Sequence, residues 1–149
     1  VDALRRQRFA IRDAHPADAP SLAELLRQLG HPTEADIVRD RMAVLEQTGD
    51  RVLVAERDGA LLGLLTLHLT PSLHREPDGR ISALVVADGA RGEGLGSALV
   101  ELAEQICRER GCGRMEVMSS IDRVAAHEFY ELHGYRETRK RFRKQLDPP

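Results

Sequence analysis

Seven residues in the middle of the chain have the composition of an anion-binding loop: Arg91, Gly92, Glu93, Gly94, Leu95, Gly96 and Ser97. They stand between an apolar run, residues 81–86, and a long stretch of apolar residues at helical spacing. The first turn of a helix leaves backbone N–H groups without intrahelical acceptors, and the aligned peptide dipoles add partial positive charge there. Glycines let the backbone approach a ligand without side-chain obstruction. Together these features bind phosphate. A nucleoside-triphosphate loop ends in Gly-Lys-Ser/Thr, whereas this one reads Gly96-Ser97-Ala98 and has no Lys. A dinucleotide fingerprint requires Gly-x-Gly-x-x-Gly in an early βαβ unit, with an acidic residue about 20 positions on. Here Ser97 stands where the last Gly belongs, and Glu109 and Glu116 flank the acidic position outside that context. A Gly-rich turn without a ligand is the plain alternative.

Metal and thiol chemistry find less support. Cys107 and Cys112 have no further Cys or His at zinc-ligand spacing, so both read as structural. The six histidines, His15, His31, His68, His74, His127 and His133, form no metal motif, and no metal is expected.

The elements that must position the loop follow from periodicity. Residues 9–12 alternate as a short strand. A helix starts at His15-Pro16-Ala17-Asp18 and carries Leu22, Leu25, Leu26 and Leu29 on one face up to Gly30. Pro32-Thr33-Glu34 opens a second helix, with Ile37, Val38, Met42 and Leu45, which stops at Thr48-Gly49-Asp50. Two Val- and Leu-rich runs, 52–56 and 61–69, are joined by Asp58-Gly59, a hairpin signal. Glu76-Pro77-Asp78-Gly79 reads as a turn. Residues 81–86 are nearly all apolar, as in a central strand covered on both faces. A long helix follows the loop and ends at Gly111. Residues 115–118 form a strand. A further helix, capped by Asp122 and carrying Ala125, Ala126, Phe129 and Leu132, stops at Gly134, and residues 135–146 close as a strand. The order predicts an α/β (α+β) fold: a mixed, mostly antiparallel central sheet of 6–7 strands flanked by four helices, in one domain over residues 1–149.

Bulk properties agree with an ordinary globular chain. It has 149 residues, 42% of them hydrophobic and 31% charged, with a net charge of −2. The charge argues against nucleic acid as a partner. No apolar run reaches a membrane span, and the first residues, Val1-Asp2-Ala3-Leu4-Arg5-Arg6, show no apolar signal region, so a cytoplasmic protein is expected. The basic run from Arg136 to Lys144 reads as a charge-protected strand edge, with attraction of an anionic cofactor as the sharper alternative.

The chain resembles the GNAT superfamily of N-acetyltransferases over residues 8–146. Its pyrophosphate loop reads Arg/Gln-x-x-Gly-x-Gly/Ala, matched by Arg91, Gly94 and Gly96 after a buried strand and before a long helix. A second family signature, one strand and one helix later, is matched by Ala126, Tyr130, Gly134 and Tyr135. The resemblance implies acetyl-coenzyme A as cosubstrate, with the amides of Gly92, Glu93, Gly94, Leu95, Gly96 and Ser97 on its pyrophosphate. Leu84, Val85 and Val86 would line the pantetheine arm, in a gap where this strand splays from the next. Ser119 and Ala126 would complete the cofactor site. Ser120 and Asp122 could add polar contacts, and Arg123 or His127 could reach the 3′-phosphate. Tyr130 would protonate the departing thiolate, as a phenol can, while Phe129 and Tyr135 read as packing residues.

Two positions depart from the family pattern. Arg123 stands where many relatives carry Asn. Ser82 stands where many carry a Glu that acts as base. A lysine-like amine has a pKa of about 10.4, so freeing its lone pair at neutral pH costs on the order of 4–5 kcal/mol. Glu56, His68, His74 and Glu116 are candidates for that task, each with an ordinary reading as a strand or loop residue; a water chain is another. The expected acceptor is the primary amine of a small molecule, chosen by residues 21–48 and 71–80. A homodimer through the closing strand is possible for such a chain. The competing function is an acyl-CoA-binding module without catalysis.

Overall fold

The computed structural model describes residues 9–118, 124–138 and 141–147. They fall into two compact units, Val1–Met118 and Ser119–Pro149. The first unit contains, in chain order, β1 (Ala10–Asp13), α1 (Ala19–Leu29), α2 (Ala35–Gln47), β2 (Arg51–Arg57), β3 (Ala60–Thr70), β4 (Asp78–Val86), α3 (Leu95–Glu109) and β5 (Arg114–Val117). The second contains α4 (Val124–Leu132).

The sheet runs β1-β2-β3-β4-β5. Its first three pairings are antiparallel and β4–β5 is parallel. Hairpins join β2 to β3 and β3 to β4, and α3 supplies the crossover that a parallel pair requires. Asp58 and Gly59 both take positive φ, 52° and 80°, which makes the β2–β3 turn the type I′ form whose twist matches its strands. Each helix ends as its glycine predicts. After α2, Gly49 N–H bonds Glu46 O and Asp50 N–H bonds Leu45 O, a Schellman closure that turns the chain directly into β2. Gly30, Gly111 and Gly134 close the other three in the same way.

Two layers of side chains hold the sheet. On one face Val54, Leu64 and Val85 pack with Leu22, Leu25 and Val38 of α1 and α2. Strand alternation sends Leu53, Leu65, Leu67 and Ile81 to the other face, where they are buried along with Leu95, Leu99, Val100 and Ala103 of α3. That helix lies close to the sheet because two strand positions lack side chains. A Cβ added at Gly63 would lie 3.0 Å from Leu99 Cδ1, and one at Gly79 would collide with Cys107 Sγ.

The structure corrects the expected strand count. Among the described residues the sheet has five strands, not 6–7. Residues 135–138 and 141–146, expected to close the sheet, carry no strand. Phe142 and Leu146 are exposed, so the weak alternation there does not mark a buried strand face. The turn expected at 76–79 is shorter too, because pairing with β5 recruits Asp78 and Gly79 into β4.

Candidate active site

Strand β4 delivers the chain to the loop through a 3-10 turn, Asp88–Ala90, with Ala90 buried. Gln28 Oε1 of α1 accepts the Asp88 N–H at 3.1 Å and Arg91 pairs with Asp88 at 3.0 Å. Leu95, only 1% exposed, pins the start of α3 into the core. Between these anchors Arg91, Gly92, Glu93 and Gly94 are exposed, and Gly96 and Ser97 half-buried.

Gly92 and Gly94 hold φ of +82° and +84°, and Gly94 is the N-cap of α3 with no side-chain capping bond. The first helical bond runs from Ala98 N–H to Gly94 O at 3.0 Å, so the amides of the first turn precede the ladder. A Cβ built at Gly92 or Gly94 meets nothing within 4 Å. The backbone therefore faces open space at the positive end of a 15-residue helix, a cradle that fits a pyrophosphate. Glu93, the one acidic residue of the loop, is engaged by Arg57 of β2 at 3.0 Å.

The strand before this loop is half of a parallel pair. The β4–β5 ladder covers four residue pairs, from Asp78↔Arg114 to Ile81↔Val117. Its closed end is clamped by Asp78, which accepts from Arg75 Nη2 at 2.6 Å and Arg114 Nε at 3.0 Å. The Arg75 hydrogen bond and, against some burial, that of Arg114 hold the Asp78 carboxyl below its usual range. Met118 N–H reaches back to Ile81 O at 3.5 Å. Among the described residues β5 gives 82–86 no ladder partner; the residues that follow Met118, up to Arg123, lie outside the described residues. Val85 buries its side chain under α1 and α2, so its offer to a bound arm is backbone. Leu84 and Val86 are half-buried.

The β3–β4 register pairs Thr66 with Ala83 and Leu67 with Ile81, skipping Ser82. This bulge turns Ser82 outward; it is exposed, and its Oγ lies 2.6 Å from His68 Nε2. The other ring nitrogen of His68 is 3.0 Å from Asp50 Oδ2.

The remaining base candidates are engaged elsewhere. Glu56 accepts from Arg12 Nε at 2.7 Å, and Arg12 also holds Asp18. His74 sits in the exposed β3–β4 loop between Ser72 and Arg75. Glu116 pairs with Arg114 at 3.5 Å. Burial, then the neighbouring Cys112 thiol, raises the Cys107 thiol to about 12, which leaves it un-ionised and inert at neutral pH. No cluster of three or more metal-ligating side chains occurs among the described residues, and no helix there is long and apolar enough to cross a membrane.

Tyr130, Ala126 and His127 belong to the C-terminal unit, all half-buried on α4. The Tyr130 ring meets Phe129 edge-on at 5.4 Å and Tyr135 at 5.9 Å. Tyr135 N–H bonds Tyr130 O at 2.9 Å, closing the helix around Gly134. Ser119, Ser120, Asp122 and Arg123 lie outside the described residues.

An exposed Gly loop at a helix start follows the strand of a parallel pair, and the sequence model of the acetyltransferase (GNAT) family matches residues 13–135. The chain belongs to that family. It is 37% identical over 94 residues to an aminoalkylphosphonate N-acetyltransferase of Salmonella typhimurium, covering 62% of this chain and 61% of the relative. It is 31% identical over 107 residues to a mycothiol acetyltransferase of Corynebacterium jeikeium, covering 66% of this chain and 31% of that one. The chain thus spans less than two thirds of either relative's length. Among solved structures, an acetyltransferase of Trypanosoma brucei superposes with a TM-score of 0.80 at 26% identity, covering 93% of this chain and 99% of the other. An aminoglycoside N-acetyltransferase in complex with CoA shares the fold, with a TM-score of 0.82 at 17% identity over 93% of this chain and 95% of that one.

One residue of the site escaped sequence reading. Asp50 looked like part of a helix stop, and nothing near it announces a partner 18 residues away in sequence. Ser82 looked like a missing base; the bulge that exposes it is a property of register.

Proposed function

We propose that this GNAT chain is an acetyl-CoA-dependent N-acetyltransferase acting on the primary amine of a small molecule, with residues 1–149 working as one domain. The observation that carries the proposal is the exposed, glycine-lined start of α3 that follows β4. The loop from Arg91 to Ser97 would hold the pyrophosphate, and the backbone of 82–86 would hydrogen-bond the pantetheine amides. The amine would attack the thioester directly within a ternary complex. Positioning both reactants in one site removes much of the entropic barrier of a bimolecular step. Tyr130 would donate its phenolic proton to the sulfur as negative charge builds there. The names of the two curated relatives, one for an aminoalkylphosphonate and one for mycothiol, support a small-molecule acceptor.

The test is thiol release from acetyl-CoA with a panel of aminoalkylphosphonates, amino sugars, aminoglycosides and amino acids. At least one amine should raise release well above spontaneous hydrolysis, with the N-acetyl product seen by mass spectrometry. Cofactor binding without stimulation by any amine would leave the acyl-CoA-binding module as the better reading for that panel.

A further inference from the structure

Three side chains that neither the loop nor Tyr130 chemistry uses converge at the bulge. The closure of α2 places Asp50 immediately before β2, and the pairing Arg51↔Leu67 brings it beside His68. Asp50 Oδ1 accepts the Leu69 N–H at 3.0 Å, and Oδ2 accepts the Thr48 hydroxyl at 3.0 Å. Burial pushes the Asp50 carboxyl up, but hydrogen bonds from Leu69 N–H, His68 and Thr48 outweigh it and hold the group below its usual value. It is therefore ionised at neutral pH and can only accept. His68 Nδ1 must then donate on that side, and in the neutral ring Nε2 is the atom that can take the Ser82 hydroxyl proton. The side chains of Asp50 and His68 are 13% and 18% exposed, whereas Ser82 is exposed. A fixed carboxylate–imidazole pair thus opens to solvent through one hydroxyl. That hydroxyl belongs to the first β4 residue past the last β4–β5 ladder pair.

We propose that Ser82 and His68, oriented by Asp50, form the proton acceptor for the incoming amine, a relay in the place where a carboxylate base is missing. This rests on the acetyltransferase reading above. The substrate ammonium gives a proton to Ser82 Oγ while the Ser82 proton passes to His68 Nε2. The freed nitrogen lone pair forms the C–N bond, and the C–S bond breaks with its electrons on sulfur. The nitrogen sheds a second proton, which matches the one the thiolate accepts. His68 returns its proton to solvent, the net proton of the reaction. Ser82 is the catalytic residue that touches substrate, and Asp50 is a positioning residue. Among the described residues, hydrogen bonding and register place Asp50 of the α2–β2 turn and Arg80 of β4, whose Nη1 lies 3.4 Å from Met118 Sδ, beside His68. Beyond Arg80 on β5 stands its register partner Glu116.

The experiment measures kcat and KM from about pH 5.5 to 9 for the full chain, with acetyl-CoA and an amine that the wild type acetylates. His68→Gln should lower kcat by about 100-fold and remove the acid limb that an imidazole imposes, with acetyl-CoA affinity and melting temperature kept. Ser82→Ala should lower kcat by about 10-fold, and Ser82→Thr should restore most of it. Asp50→Asn should lower kcat and displace the acid limb. Wild-type kcat and an unchanged pH profile in His68→Gln would overturn the relay. So would acetyl-Ser82 found by mass spectrometry after acetyl-CoA alone, which would make Ser82 a nucleophile. If His68→Gln fails to fold, Ser82→Ala decides, because it removes only an exposed hydroxyl. A wild type that binds acetyl-CoA yet acetylates no amine fails the enzyme reading and the relay together; an active wild type with indifferent variants fails the relay alone.

Discussion

The loop from Arg91 to Ser97 and the cluster Asp50–His68–Ser82 are built from different materials. The loop presents backbone. Its functional groups are the amides of a helix start, and its side chains are small, exposed or, as with Leu95, turned into the core. The cluster presents side chains from three segments, and its backbone matters only for register. Backbone donors survive many substitutions but fail when a residue fills the space in front of them. Side-chain relays fail one atom at a time. Binding and chemistry should therefore separate cleanly in variants of this protein.

The largest effect is expected at the loop. Gly94→Asp should weaken acetyl-CoA binding on the order of 1,000-fold, about 4 kcal/mol, by calorimetric titration. Asp tolerates a left-handed φ better than most residues, and a Cβ at Gly94 meets nothing within 4 Å, so the fold should survive and the loss should report the ligand. Retained affinity would sink the loop assignment and the contrast with it. Tyr130→Phe should show the opposite split, with kcat lowered by about 100-fold and cofactor affinity unchanged. Unchanged turnover would remove the acid role. The smallest effect concerns a glycine with neither task. Gly79→Val would push into Cys107 and Met115, whose Sδ lies 2.7 Å from the built Cβ. It should cost about 1–3 kcal/mol of stability in denaturant unfolding without changing cofactor affinity per folded molecule. A stronger effect on binding than on stability would show that β4 and the loop are coupled.

Much of the fold was legible because local rules agreed. Helical spacing, the glycine stops and the Asp58-Gly59 turn each name an element from a few neighbouring residues, and each occurs near its expected place. The loop was legible for the same reason: glycine spacing, a preceding apolar strand and a following helix are all contiguous. Residues 135–138 and 141–146 misled because alternation in a basic stretch looks like a strand whether or not a sheet edge receives it. Asp78 and Gly79 read as a turn because the β5 pairing that makes them a strand comes from residues 114–117.

By itself the sequence determined the element order from β1 to α4, the glycine-rich helix start at Gly94, and the family to which the chain belongs, because those properties are carried by neighbours along the chain. Only the tertiary structure decided that β5 pairs with residues 78–81 of β4, that Ser82 bulges outward, and that His68 joins it to Asp50. Those outcomes depend on register between strands, and hydrogen bonds across 14 and 18 residues of sequence leave no local trace.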